Sequence, residues 1–238
     1  MNFDENPAFA NMPPLDKMRK IRRDIVRSIN DYREQQEKRA PGVYLDVLSN
    51  KAAAEYAEYL LENEEDLNMV TQICQKYMIV DTVIPLVGYS MLEEDDGEDK
   101  ILYHEFMDAH GLLCELEDDL TKLLDPKVTH IGVGFAWNKQ HVKVVEFLTV
   151  KPLLINQLTE SEDGGVDIRG MMLSNEVGLY AARIVSIKNN KKDIKLVGPP
   201  NIQFDKNSKQ FIITMEGPLE NVFYSDDAKV LEIYTRKT

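Results

Sequence analysis

The sequence predicts an α+β protein in two parts, and three observations lead to that prediction. Apolar residues recur at helical spacing in the first half of the 238-residue chain, and apolar and polar residues begin to alternate near residue 130. After residue 152, clusters of Gly, Pro, Asn and Asp separate short apolar runs, which is typical of an all-β module. We therefore divide the chain into an extended N-terminal arm (1–16), a mixed domain (17–151) and a β-rich C-terminal module (152–238).

The first confident element is a long helix that follows the arm. The arm contains three prolines and no sustained apolar period. The helix is predicted to begin at Asp16, a candidate N-cap, and to end before Pro41-Gly42. Its apolar stripe consists of Met18, Ile21, Ile25, Ile29 and Tyr32.

Three further helices and an exposed loop are predicted before residue 120. A helix begins near Ser49, a short one surrounds residues 69–73, and a third covers 101–116. Residues 77–92 are rich in β-branched side chains, and we interpret Pro85 and Gly88 as breaks in that segment. Six acids among the seven residues 93–99 repel one another and favour an exposed loop.

Strands account for the rest of the chain. Ile131, Val133 and Phe135 alternate with other residues, and Asn138-Lys139-Gln140 forms a turn, so we expect a hairpin on one side of a sheet. In the C-terminal module the strongest strand patterns cover residues 177–187, 195–204, 210–217 and 228–236.

Composition limits the classes of function. The chain is 43% hydrophobic and 29% charged, as expected for a globular protein. Its 28 basic and 41 acidic residues give a net charge of −13, which argues against nucleic acid as a partner because phosphates would be repelled. The N-terminal residues lack the basic flank and apolar run of a secretory signal, and no membrane span is apparent. We therefore expect a cytoplasmic protein that is not secreted.

Specific residues in the mixed domain resemble a known family. The first helix carries Ile29-Asn30-x-x-Arg33, Leu45-Asp46 precedes the second helix, and Leu123-Leu124-Asp125-Pro126 precedes the Gly132-x-Gly134 hairpin. This order is similar to the CAP superfamily of cysteine-rich secretory, antigen 5 and pathogenesis-related proteins. The resemblance implies an α-β-α sandwich, in which Gly132 and Gly134 allow helices to pack closely on their strand.

The departures from the family pattern concern its metal site. CAP proteins place two histidines and two glutamates in a central cleft, a set suited to a divalent cation. Here Gly88-Tyr89-Ser90 stands where the family has Gly-Glu-Asn, so Tyr89 occupies a glutamate position. Asp119 occupies a histidine position, and Glu117 or Glu115 is left for the fourth place. We expect no metal bound in the family's manner, and no cofactor.

The other reactive residue types lack a functional pattern. His104 and His110 lie about 120° apart on one helix, so they are poor co-ligands, and we expect ordinary surface or half-buried side chains. Cys74 and Cys114 have no CxxC partner and are interpreted as packing residues. The sequence has no nucleophile elbow, phosphate-binding loop or dinucleotide fingerprint, so a hydrolase that uses scattered acids is the weakest hypothesis.

The first helix also carries a basic face, which we predict to be exposed. Two interpretations are open: the face pairs with the protein's own acidic loops, or it docks to an acidic surface of another protein. The candidate partner-binding residues are Lys17, Arg19, Lys20, Arg22, Arg23 and Arg27.

The leading hypothesis from sequence is a non-catalytic binding or structural subunit of a larger intracellular assembly, for example a cytoskeletal or axonemal one. It depends on the missing tetrad and on the basic helix. The alternative is a CAP protein that binds a lipid, a sterol or another small ligand in a cleft lined by residues 77–92.

Overall fold

A computed structural model describes residues 14–36, 40–79, 81–92, 103–160, 165–173, 177–188, 191–193, 201–215 and 228–237. The chain divides into two compact units, Met1–Val150 and Lys151–Thr238. Most of the predicted arm and the acidic run 93–99 lie outside the described residues. Within the described part, no helix is both long and apolar enough to cross a membrane.

Helix α1 (Pro14–Gln35) confirms the predicted first helix. One residue in every four is buried along it, which is the spacing of a single helix face. The prediction of Asp16 as N-cap is wrong, because the helix already begins at Pro14. Proline suits a first helical position, where its missing N–H would have no partner within the helix. Asp16 instead lies in the first turn and accepts a hydrogen bond from Arg19 at 3.2 Å.

Helices α2 (Val47–Tyr59) and α3 (Leu67–Lys76) each begin with an aspartate N-cap. The Asp46 side chain accepts from the Ser49 N–H at 2.7 Å, and the Asp66 side chain accepts from the Asn68 N–H at 2.8 Å. Each carboxylate satisfies a backbone donor that the helix itself leaves unpaired. Helix α2 therefore begins two residues before the predicted start at Ser49.

A four-stranded sheet lies at the centre of the first unit. Its strands are β1 (Tyr44–Leu45), β2 (Val83–Met91), β3 (His130–Trp137) and β4 (His141–Thr149), in the order β1-β3-β4-β2. Strand β1 is parallel to β3, and the other pairs are antiparallel. The predicted β3–β4 hairpin is confirmed, and both of its faces are buried.

Two apolar cores explain this double burial. On one face, Ile131, Val133 and Phe135 pack with α1 and with helix α4 (Tyr103–Glu115). On the other face, Val145 and Phe147 pack with α2 and α3. Each core thus uses alternate residues of the same strands, and helices cover both faces of the sheet. A short helix α5 (Glu117–Leu123), which was not predicted as a separate element, follows α4.

Strand β2 runs unbroken through Pro85 and Gly88, which corrects the prediction that these residues interrupt it. Proline is tolerated because β2 is an edge strand, where one side of the backbone has no ladder partner. Gly88 faces α4 so closely that a Cβ atom there would lie 2.0 Å from the Ala109 carbonyl oxygen. The glycine therefore marks a helix contact and not a strand end.

The two hairpin glycines make the corresponding contact on the other face. A Cβ atom on Gly132 would lie 2.3 Å from the Ser49 carbonyl carbon, and one on Gly134 would lie 2.1 Å from that of Ala53. Helix α2 therefore rests with its backbone directly on β3. This confirms the expectation that Gly132 and Gly134 allow close packing of a helix on their strand.

Arg33 is fully buried at the end of α1, and the hydrogen bonds that it makes to described residues all go to backbone carbonyls. Its Nε donates to Pro41 at 2.7 Å, and its two terminal nitrogens donate to Leu123, Asp125 and Val128 at 2.7, 3.1 and 2.9 Å. One turn earlier, Asn30 accepts from the Val43 N–H at 2.7 Å and donates to the Val43 carbonyl at 3.3 Å. The two polar residues of the family-like motif thus fasten α1 to two segments, the connection from α1 to β1 and the connection from α5 to β3.

The second unit consists of strands alone in its described part. One sheet has the order β5-β6-β10-β9, formed by Leu153–Glu160, Val166–Met172, Gln210–Met215 and Asn201–Phe204. The other has the order β11-β7-β8, formed by Ala228–Lys237, Val177–Lys188 and Lys191–Asp193. Four strands were predicted in these places, residues 195–200 lie outside the described part, and β5, β6 and β8 were not predicted.

We expect Arg33→Lys to destabilise the first unit by about 3 kcal/mol, because lysine keeps the charge but cannot donate to four carbonyls in a planar fork. Urea unfolding followed by fluorescence of Trp137, the single tryptophan, measures this unit. The matched control is Arg27→Lys, since Arg27 is 75% exposed and should change stability by less than about 0.5 kcal/mol. Equal losses of stability in the two variants would contradict the role of the Arg33 hydrogen bonds.

We expect Gly134→Ala to destabilise the same unit by about 3 kcal/mol, since the new methyl group would collide with the α2 backbone. Gly111 in α4 is the control, because a Cβ atom there meets no other atom within 4 Å. Gly111→Ala should stabilise by roughly 0.5–1 kcal/mol through helix propensity. Opposite signs in the same unfolding experiment are the expected outcome, and a neutral Gly134→Ala would overturn this account.

Candidate functional site

Tyr89, which the CAP resemblance predicts at a glutamate position, lies on the exposed part of edge strand β2. Its side chain is 56% exposed, and the Lys143 Nζ lies 5.3 Å from the centroid of its ring. Tyr89 also borders an open concavity of about 410 Å³ beside α4, together with Met91, Leu112 and Glu115. A phenol in this setting is a surface group and not a metal ligand.

Asp119 and Glu117 lie in the first turn of α5. The Asp119 Oδ1 accepts a hydrogen bond from the Lys122 Nζ at 2.8 Å, and Glu117 is exposed. Acids in a first turn favour the helix because they compensate its positive end. The described contacts include no hydrogen bond or ion pair that joins Tyr89 to Asp119 or to Glu117.

These residues do not fit the divalent cation that the CAP resemblance implies. The three positions offer a phenol, a carboxylate already paired with Lys122 and an exposed carboxylate, and no imidazole. Over the described ranges, no group of three or more His, Cys, Asp or Glu side chains could hold a metal ion. We derive no chemistry through a metal here.

The polar pair that the fold does bury is His110 and Glu146. The His110 Nδ1 lies 2.6 Å from the Glu146 Oε1, and the two side chains are 2% and 0% exposed. Burial alone lowers the pKa of His110, but the Glu146 carboxylate and the Cys114 sulfur, 3.7 Å from Nε2, raise the pKa to about 10 overall. The short contact and the raised pKa both favour a protonated imidazole at this buried position.

This pair corrects the sequence interpretation of the histidines. His110 was expected on the surface or half-buried, and Glu146 was not singled out. His104 contacts Glu105 at 2.6 Å, so the two histidines of α4 have different partners. A signal for Glu146 existed, because it is the one acid in an apolar strand and shares a face with Val144 and Leu148. Its histidine partner follows only from the packing of α4 on β4.

The basic face of α1 is less free than predicted. Lys20 and Arg27 both contact Asp24, at 2.5 and 3.8 Å, and Arg19 pairs with Asp16. Lys17 is half-buried. The charges of this face are thus partly compensated within the helix itself.

Arg22 departs most from the predicted exposure. Its Nε donates to the Val133 carbonyl at 2.8 Å, and its guanidinium carbon lies 5.3 Å from the centroid of the Phe135 ring. Burial lowers the pKa of this guanidinium. Arg23 is exposed and has no ion-pair partner in the described part of the chain.

Comparison with known proteins relates both units to one family. A family model for the CFAP184 CAP-like domain matches residues 15–145, and a model for the CFAP184 CBM-like domain matches residues 155–238. Cilia- and flagella-associated protein 184 of Tetrahymena thermophila is 31% identical over 220 residues. That match covers 92% of this chain and 27% of the relative, so the chain spans about a quarter of that protein's length.

The similarity to solved structures is weaker. An extracellular SCP-domain protein from Bacillus anthracis is 14% identical, with a TM-score of 0.40 over 59% of this chain and 44% of its own. An outer surface protein from Borrelia burgdorferi is 16% identical, with a TM-score of 0.40 over 56% of this chain and 94% of its own.

The His110–Glu146 pair predicts a pH dependence of stability. Because the folded pKa of His110 is raised to about 10 from an ordinary 6.5, its stabilisation is complete below about pH 6.5 and is lost as pH rises towards 10. Urea unfolding at pH 6 and pH 9 should show this loss in the wild type. In the double variant His110→Gln/Glu146→Gln, the free energy of unfolding should fall less between pH 6 and pH 9 than in the wild type. An equal fall in both proteins would contradict the assignment.

Proposed function

Since the chain belongs to the family of the CFAP184 CAP-like domain, we propose that it is a non-enzymatic structural or binding subunit of a cilium-associated assembly. That membership, with the CBM-like match in the second unit, confirms the CAP resemblance and the α+β fold class with an all-β C-terminal part. The proposed location is the cytoplasm of the cilium, on the strength of the Tetrahymena relative's name. The proposed partners are other proteins.

A single observation carries the proposal. The positions at which the CAP resemblance implies metal ligands hold Tyr89, Asp119 and Glu117, and these side chains are exposed or paired with Lys122. Asn30 and Arg33, the polar residues of the family-like motif, bind backbone groups that hold α1 in place. A site with such side chains, on a fold whose structural contacts are present, supports a role in assembly over a role in metal-dependent chemistry.

Binding of a lipid, sterol or other apolar ligand ranks second. The segment 77–92 was expected to line an apolar cleft, but Leu86 is buried, and Ile84 and Val87 pack against the two cores. The concavity beside Tyr89 and Met91 is open to solvent, and Met91 is 78% exposed. An open surface of this kind encloses little of an apolar ligand, whereas typical ligand sites bury most of it.

We expect the full chain, tagged and expressed in ciliated cells, to remain with the axoneme after detergent removes the membrane. The double variant Tyr89→Ala/Asp119→Ala should be retained equally, because the proposed role does not use the positions at which the CAP resemblance implies metal ligands. Arg33→Ala should reduce retention, since it removes the contacts that hold the fold.

Two results would overturn this proposal. One is that detergent extracts the wild-type chain and Arg33→Ala from the axoneme to the same extent, together with soluble protein. The other is stoichiometric Zn²⁺ binding by the purified wild-type chain that Tyr89→Ala/Asp119→Ala abolishes.

A further inference from the structure

A groove runs between the start of α1, strand β1 and the first turns of α2. Its volume is about 970 Å³, larger than the concavity beside Tyr89. Apolar side chains line it although they face solvent: Leu15 is 58%, Leu45 37% and Val47 68% exposed. Exposed apolar side chains that lie together, rather than singly, mark surfaces where another molecule packs.

Cations border this groove in a protein with a net charge of −13. Four basic side chains and one acid, Asp16, line it, which gives a local charge of +3. Of the basic residues, Arg23 and Lys51 are exposed and have no ion-pair partner among the described residues. Their charge is therefore available to a ligand.

The other two basic side chains, Arg19 and Arg22, have different roles in the groove. Arg19 pairs with Asp16, but the two side chains are 64% and 49% exposed, so this bond is weak and easily exchanged. Arg22 is fixed against Val133 and Phe135 and forms a rigid wall of the groove. The groove thus combines an apolar surface, a fixed wall and cations that can move to meet an anion.

The shape of the surface favours a helix over an extended strand as the occupant. Strand β1 has two residues and lies at the sheet edge, so it offers too few backbone groups for strand addition. Two helices, α1 and α2, form the sides of the groove. A third helix can place side chains at positions i, i+3, i+4 and i+7 between them.

We propose that this groove binds an amphipathic helix of a partner protein, with an apolar stripe that packs on Leu15, Leu45 and Val47 and flanking Asp or Glu residues that pair with Arg23 and Lys51. The proposal rests on the proposed role as a binding subunit and names the surface and the chemistry of the partner. It also revises the predicted docking residues, because Lys20, Arg22 and Arg27 are engaged within the fold.

A synthetic peptide tests this proposal. The probe is a fluorescein-labelled 18-residue helix with Leu at i, i+3, i+4 and i+7 and Glu on both flanks, titrated with the full chain by anisotropy. We expect binding that weakens as salt rises, and a loss of at least tenfold in affinity for Arg23→Glu/Lys51→Glu. A second peptide with Lys in place of Glu should regain affinity for that double variant.

Two controls separate the groove from overall charge and from apolar adhesion. Lys127→Glu/Arg169→Glu makes the same change in net charge at exposed positions outside the groove, and it should leave the affinity unchanged. Val47→Ser should weaken binding at low and at high salt, because it removes apolar contact and not charge.

Absence of peptide binding, or equal affinity of Arg23→Glu/Lys51→Glu and its control, would overturn the proposal. Concentration-dependent dimers that Val47→Ser dissociates would assign the groove to a second copy instead. Peptide binding by Phe3→Ser/Phe9→Ser but not by wild type would assign it to the chain's own first residues. Peptide binding without axonemal retention would contradict only the ciliary role, and retention without peptide binding only the groove.

Discussion

The first unit depends on one buried cation. Arg33 reaches from the end of α1 to carbonyl oxygens of Leu123, Asp125 and Val128, the loop through which the chain leaves α5 and enters β3, and to Pro41 on the other side. Buried carbonyls without donors are costly, and so is a buried guanidinium without acceptors, so each side satisfies the other. Since α1 covers one face of the sheet and β3 is central to it, this residue holds the layer and the strand in register.

The fold was predictable where local patterns and tertiary packing agree. Helical spacing located α1 and α2, and alternation located the β3–β4 hairpin, because these elements bury one defined set of side chains. Strand β2 was misread because tolerance of Pro85 depends on an edge position, and the need for Gly88 depends on the approach of α4. The local sequence contains no signal for the edge position of β2 or for the approach of α4. The start of α1 was predicted two residues too late for a smaller reason, since Pro14 can begin a helix as well as precede one.

The candidate site was also only partly predictable from the sequence. The choice of Tyr89, Asp119 and Glu117 rests on the motifs and stays a prediction, whereas their separate surroundings on β2 and α5 required the structure. His110 and Glu146 lie 36 residues apart in the sequence, and their 2.6 Å contact follows from the packing of α4 against β4. Arg22 was assigned to the solvent face by helix periodicity, but a long side chain at the edge of that face can fold back to a strand carbonyl. Periodicity gives the direction of a Cβ atom and not the end point of a guanidinium.

Gly132 and Gly134 have a consequence for recognition. With no side chain between the α2 backbone and β3, the distance between these layers has almost no freedom, because neither rotamer changes nor repacking can adjust it. The same helix and the adjacent β1 form one side of the groove lined by Leu45, Val47 and Lys51. That side is rigid in the free protein, so binding of the proposed helix would cost conformational entropy mainly in the helix itself. Under this proposal, affinity depends on how readily the helix forms in the partner's own sequence.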